Sequence, residues 1–250
     1  KKVMDHKILK SAVYTTQRAQ RNYDLSKSIP QEDLDTLIYT AINSPSKQNE
    51  THFKLKVYTD PNLIRKIYDC TERFGLFTRE TFDKMYKDNG KEVVGNNKYE
   101  IKNSQILSSV VFVYCDDEDN LRGGDQVIAA RGNASENTRN LFTRLKNFSI
   151  GISSGQLSLV AALLGYKTGF CSAFVIPELK AITKDDPRVI VGIGYENKNM
   201  DRRLHGELFN KDIPKQYRTG ADDERFRYMS LDKKIKVEVN DEILDTRLEK

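Results

Sequence analysis

From Ile150 to Leu164 the chain reads IGISSGQLSLVAALL and is closed by Gly165. A helix this aliphatic on so much of its circumference has too little polar face for a surface, so it must run through a fold or against a second copy. Its longest apolar run, LSLVAALL at 157–164, is far short of the ~18 residues that span a bilayer. Gly165 suits a C-terminal cap. The first half carries Gly151, Ser153, Ser154 and Gly155 close together. Small residues there let another backbone or a flat ligand come near, or simply make a tight helix–helix contact.

Shorter periodic segments surround this helix. Residues 5–16 predict a helix, with Ile8, Leu9, Ala12 and Val13 at helical spacing. Ser28 is the expected cap of a second helix over 30–43, with Pro30 in its first turn and Glu32 and Asp33 at the positive end of its dipole. Leu34, Leu37, Ile38, Ala41 and Ile42 form its expected buried stripe. FKLKVYT (53–59) alternates like a strand, and Asp60-Pro61 opens a third helix over roughly 61–72. The polar, weakly periodic stretch 73–104 is expected as one or two outer helices. SSVVFVYC (108–115) reads as a buried strand, 134–146 as a polar helix, and KTGFCSAF and RVIVGIGY (188–195) as two further strands. In the charged tail, KIKVEV (234–239) suits an exposed edge strand. Helices and strands interspersed around one long helix predict a single α+β domain.

Composition narrows the function. With 38% hydrophobic and 31% charged residues among 250, the chain can bury a real core. Its 41 basic and 36 acidic residues are spread evenly, unlike the clustered cations of a nucleic-acid binder, so neither a nucleic acid nor a membrane is expected as a partner. Cys70, Cys115 and Cys171 have no close spacing, which leaves neither a disulfide framework nor a CxxC metal site. The opening KKVMDH lacks the apolar core of a signal peptide, and a cytoplasmic setting is the expectation. His6, His52 and His205 show no metal-ligand spacing, so no metal is expected. No GxSxG elbow and no P-loop is present, and Gly192 and Gly194 lack the third glycine and helix of a dinucleotide fingerprint. A chain this thin in acid–base groups leaves the hard chemistry to a bound cofactor.

The polar knot SPSKQN (Ser44–Asn49) lies between the second helix and the FKLKVYT strand. By itself it reads as an ordinary loop, or as hydroxyls and amides arranged to hold something. In chain order there follow RAQRNY before a helix, SPSKQN after it, the GISSGQLSLVAALLG helix, KTGFCSAF, and a strand ending GIGY ahead of the basic pair Arg202-Arg203. This order resembles the FMN-dependent nitroreductase family over roughly residues 8–208. The family's opening motif, Arg-(Arg/His)-Ser-x-(Arg/Lys)-x-(Phe/Tyr), is matched by Gln17-Arg18-Ala19-Gln20-Arg21-Asn22-Tyr23, and its (Ala/Ser)-Pro-Ser-x-x-Asn motif by Ser44–Asn49.

The resemblance implies a nitroreductase-like fold: a central, mainly antiparallel sheet flanked by helices, in an intertwined homodimer with FMN sites at the interface. Residues 1–208 would be the FMN-binding domain, and 209–250 a C-terminal extension packing on the partner subunit. It also implies roles for individual residues. Pro45, Ser46 and Asn49 would lie against the flavin ring across the interface, Arg21 near the ring's N1/C2 carbonyl, and Arg18 at the ribityl or phosphate end. Lys102 would reach the pyrimidine edge, the backbone of Ser172 and Ala173 the ring N5, and Arg202 and Arg203 the phosphate. Gln17 and Ala19 stand where the family carries Arg and Ser, Asp201 stands at an often basic position, and Glu50-Thr51-His52-Phe53 replaces a common x-Gln-Pro-Trp.

The implied activity is hydride transfer from NAD(P)H through tightly bound FMN to an electron-poor small molecule, a quinone or a nitroaromatic, with ping-pong kinetics and no side-chain catalyst. The rival readings are a flavin-cleaving or dehalogenating member of the superfamily, and a non-catalytic flavin-binding protein.

Overall fold

A computed structural model of the chain describes residues 5–46, 49–71, 103–117, 136–199, 202, 237–239 and 242–244. In chain order the elements are α1 (His6–Thr16), α2 (Gln31–Ile42), β1 (Phe53–Tyr58), α3 (Pro61–Asp69), a 3-10 turn (Ser104–Ile106), β2 (Val110–Asp116), α4 (Glu136–Leu163), β3 (Lys167–Cys171), α5 (Ile176–Thr183), β4 (Pro187–Gly194), β5 (Val237–Val239) and β6 (Glu242–Leu244).

Four strands make one sheet in the order β1-β2-β4-β3, every neighbouring pair antiparallel. The α+β class and the antiparallel sheet are as expected from the sequence. The core follows from the two-residue period of β2, which is buried along its whole length. Val110, Phe112 and Tyr114 point to one face and join Leu37 and Ala41 of α2 with Ile150, Leu157 and Ala161 of α4. Val111, Val113 and Cys115 point to the other and join Ile64 and Ile67 of α3 with Leu179 of α5. The sheet is thus a filling between two helical layers, and each fully buried aliphatic side chain contributes about 1.5–3 kcal/mol.

Capping explains three of the helix ends. Asp5 and Asp60 each accept a bond from the N–H two residues on, at 2.8 Å, and Pro61 takes the first turn of α3. At the end of α4, Gly165 sits at φ +91, Tyr166 N–H donates to Ala161 O at 2.8 Å and Gly165 N–H to Ala162 O at 3.1 Å. That pair of bonds is the Schellman arrangement.

Several expectations need correction. Ser28 does not cap α2; Pro30 occupies the cap with no side-chain bond. Ile42 is half exposed and lies outside the buried stripe. The two helices expected over 134–146 and 150–164 are one continuous helix, α4. Helix α5 has no counterpart in the sequence reading; it starts on Val175 without a side-chain cap and carries Pro at its start. The strand expected from Ser108 begins at Val110, because Ser108 Oγ bonds the Val110 carbonyl at 2.8 Å and Ser109 Oγ the Lys27 carbonyl at 2.8 Å. Val237–Val239 pairs antiparallel with Glu242–Leu244 in a small sheet of its own. The outer helices expected within 73–104 lie outside the described residues, except for the 3-10 turn at their end.

Candidate functional site

After α1 the chain runs extended across the β3–β4 edge of the sheet. Gln20 N–H donates to Thr168 O, Arg21 N–H to Arg202 O and Asp24 N–H to Tyr195 O, each at 2.9 Å, and Tyr23 bridges Glu196. Gln20, Asn22 and Tyr23 are buried. The Tyr23 hydroxyl donates to Gly192 O at 3.1 Å, and burial pushes its pKa well above the usual phenol value. This seating needs glycine in the strand beneath. A Cβ on Gly169 would stand 2.7 Å from Gln20 O and 2.5 Å from Gln105 Cβ.

The seating gathers cations. Arg18 and Arg21 leave the same extended segment, and Arg202 is tied back to it, its Nη1 donating to Ala19 O at 3.3 Å. The Arg18 guanidinium lies 4.8 Å above the Tyr14 ring and bonds the Tyr14 hydroxyl. Its Nε is buried and has no hydrogen-bond partner among the described residues. Arginine forks of this kind suit a phosphate or carboxylate.

Gln105, in the 3-10 turn, packs against the same face of Gly169. Here Asn103 Nδ2 donates to Ala173 O at 3.2 Å, while Gln105 Nε2 donates to Asn103 Oδ1 at 2.9 Å and to Phe170 O at 3.2 Å. The direction of every bond is set by the carbonyls at its ends, so Gln105 Oε1 is left as a buried acceptor without a partner among the described residues. Ser172 is exposed beside it, and the Cys171 thiol donates to Ala173 O at 3.3 Å. Sequence reasoning missed Asn103 and Gln105. The available signal was a polar Asn-Ser-Gln directly ahead of a strand buried on both faces.

The Ser44–Asn49 loop is held elsewhere. Ser44 Oγ bonds Ala41 O at 3.1 Å, Ser46 Oγ accepts from Thr51 N–H at 3.0 Å, and Ser153 of α4 also bonds Ala41 O. The arginine segment is anchored instead to β3, whose Thr168 meets Ser158 of α4 at 2.7 Å. At 1.5 Å rise per residue, Ser153 and Ser158 are about 7.5 Å apart along that helix. One chain therefore seats the segment of Arg18 and Arg21, with Arg202, against β3 and the end of β4, where Ser172 and Ala173 follow β3. Pro45, Ser46 and Asn49 lie in the loop held between the end of α2 and the start of β1. Lys102 and Arg203 lie outside the described residues, as does Asp201.

Among the described residues, no group of three or more His, Cys, Asp or Glu side chains can hold a metal ion. No helix among them is long and apolar enough to cross a membrane. Among the described residues the arrangement offers arginine cations with one buried donor and one buried acceptor that lack partners, and a glycine in β3 that both segments meet.

The family model described as Nitroreductase family matches residues 14–195. Among solved structures, the chain is similar to a nitroreductase family protein from Clostridium novyi NT at 15% identity, covering 80% of this chain and 90% of that one, with a TM-score of 0.51. It is similar to a candidate NAD(P)H:FMN oxidoreductase from Staphylococcus epidermidis ATCC 12228 at 16% identity, covering 80% and 92%, with a TM-score of 0.53. A nitroreductase family protein from Streptococcus pneumoniae TIGR4 is similar at 14% identity, covering 76% and 91%, with a TM-score of 0.52. At these identities the likeness is one of fold. No curated protein matches the sequence significantly.

Proposed function

Because the chain belongs to the nitroreductase family, with that family's model matched over residues 14–195, we propose that it is an FMN-dependent oxidoreductase taking hydride from NAD(P)H and delivering it to a quinone or nitroaromatic. The observation that carries this reading is the gathering of Arg18, Arg21 and Arg202 with the buried, unpartnered Nε of Arg18. The described residues fit the cofactor: an orphan donor beside cations suits its phosphate, and the orphan acceptor of Gln105 suits the ring N–H of its pyrimidine edge. FMN, when bound, supplies two-electron hydride chemistry between the nicotinamide and the acceptor.

The chain's own residues bind and orient. Arg18 and Arg202, with Arg203, hold the phosphate end. Arg21 sets positive charge at the ring edge where reduction builds negative charge. Asn103 and Gln105 fix the backbone that carries Ser172 and Ala173, and Lys102, outside the described residues, would serve the pyrimidine edge. No side chain among these serves as an acid or base.

A homodimer completes the site in this reading. The outer side of α4 exposes Phe148 and Ile152, α1 exposes Ile8 and Val13, and α2 exposes Tyr39 and Ile42. Unpartnered apolar residues on three helices support a second copy covering them. The partner would bring its own Pro45, Ser46 and Asn49 to the arginine side. Residues 1–208 would form the FMN-binding unit, with 209–250 packed on the partner.

The test is the visible spectrum of the purified protein, identification of the released cofactor, and steady-state NAD(P)H oxidation with a quinone. Released FMN with turnover supports the reading. Bound flavin without turnover makes the protein a flavin binder, and failure to bind added FMN overturns the proposal.

A further inference from the structure

Ser149 and Ser153 stand one turn apart on α4 and are both buried. Ser153 Oγ donates to Ala41 O at 2.7 Å, next to the end of α2. Ser149 Oγ lies 3.1 Å from Nδ1 of His52, the residue before β1. One face of one helix therefore grips both ends of the segment that contains Ser44–Ser46 and Asn49–Thr51. The other ring nitrogen of His52, Nε2, is 3.1 Å from Glu50 Oε2, and both side chains are almost fully enclosed, at 8% and 6% exposure. A carboxylate accepts only, so Nε2 carries the hydrogen toward Glu50, and Nδ1 shares a hydrogen bond with the Ser149 hydroxyl.

The backbone inside this grip is held in an unfavourable shape. Asn49 has φ +59 and Thr51 φ +45. Asparagine tolerates the left-handed region, but a β-branched threonine does not, and it stays there only where its surroundings force it. Thr51 N–H is tied to Ser46 Oγ at 3.0 Å and Asn49 N–H to Ser46 O at 3.1 Å. The loop is pinned from both ends and cross-braced within.

We propose that Glu50, His52 and Ser149, together with the Ser153–Ala41 bond, form a clamp that sets the shape in which Pro45, Ser46 and Asn49 are presented, and that His52 is a positioning residue for the flavin-facing loop. This rests on the reading above that the loop meets FMN in the partner subunit. The clamp stores the loop's strained conformation in bonds to α4, so that the partner's flavin finds the loop already shaped. The cost of ordering is met on folding, and binding is tighter for it.

The experiment compares the whole protein with Ser149→Ala and His52→Gln. Hydrogen exchange is read separately for peptides covering 44–52 and for β2, and FMN affinity is measured by fluorescence titration. Exchange of the 44–52 amides at least about tenfold faster, with β2 unchanged and FMN held several-fold more weakly, supports the proposal. Unchanged exchange of the loop in both variants overturns the clamp. Faster loop exchange with unaltered FMN affinity overturns the positioning role and leaves a purely structural anchor. Should Ser149→Ala unfold, β2 exchange reports it, and His52→Gln, which keeps the volume and one bond, carries the test. A wild-type protein that binds no FMN sinks the proposed function instead, while the loop's exchange still decides the clamp.

Discussion

A Cβ placed on Gly192 would stand 2.3 Å from the carbonyl oxygen of Gln105 and 2.8 Å from Ser108 Oγ. The central strand β4 and the turn that carries Asn103 and Gln105 thus touch backbone to side-chain position, with no room for one methyl group. Gly192→Ala should cost about 1–3 kcal/mol by overpacking, and because the relieving movement is that of Gln105, it should weaken FMN binding as well. Urea unfolding and flavin titration measure the two effects. A variant with wild-type stability would mean that the turn yields freely.

The arginines should separate by role. Arg18→Ala removes a guanidinium with a buried Nε from the proposed anion end, and FMN affinity should fall about 10- to 100-fold, the equivalent of ~1.5–3 kcal/mol. Arg21→Ala should cost less affinity and lower the reduction potential of the bound flavin by about 30–60 mV, at ~30 mV per 1.4 kcal/mol for a two-electron couple. Titration and spectroelectrochemistry on both variants test the assignment, and equal effects on the potential would contradict it.

Gly155 gives the assembly a test of sign. Among the described residues nothing stands within 4 Å of a Cβ built there. In an isolated subunit Gly155→Ala should therefore stabilise α4 by about 1 kcal/mol, the ordinary gain of alanine over glycine in an exposed helix. If a second copy's helix lies against that face, Gly155→Leu and Phe148→Glu should shift sedimentation from twice 28.7 kDa toward the single chain. A wild-type protein that sediments as a monomer with flavin bound would remove the dimer from the proposal.

Cys115 predicts an alkaline limb to the stability profile. Burial, and then the nearby Asp185 carboxylate, push its thiol up to about 11 from the 9 of a free thiol. The folded state therefore holds this proton more tightly than the unfolded chain, and the contribution is full below pH 9 and lost as pH climbs toward 11. Unfolding midpoints of wild type and Cys115→Ala should differ most below pH 9 and converge above it. Asp185 works at the other end of the scale. Hydrogen bonds from Lys56 and Lys54 hold its carboxyl below the usual range, so its contribution is present near neutrality and fades in acid.

Much of the frame was legible because each buried stretch carried its own period. SSVVFVYC could only be a strand buried on both faces, and Asp60-Pro61 could only open a helix. Gly165 behaved as a cap because no other residue takes φ +91 so cheaply. What failed to show was set by partners distant in sequence. Helix α5 has a weak pattern of its own and exists because Leu179 fits under β4. The polar stretch before Ile150 gave no sign of joining the apolar one as a single helix. The site showed the same divide. Arg18 and Arg21 stood out through a motif, whereas Asn103 and Gln105 matter through bonds to the Ala173 and Phe170 carbonyls that no local pattern announces. Ser153 was read as a small residue admitting a close approach; it works as a hydrogen-bonding group, as does Ser149, which the sequence reading did not single out.

The bond from Arg21 N–H to the Arg202 carbonyl, with Tyr23 bridged to Glu196, also imposes a schedule on the newborn chain. Arg18 and Arg21 leave the ribosome well before Thr168, Tyr195 and Arg202, on which their segment is seated. Until then they are cations on a loose strand, and contacts this far apart in sequence close slowly even after synthesis ends. In the proposed reading cofactor loading therefore waits for residues 195–202, and a nascent chain halted before Tyr195 carries the arginines without the pocket.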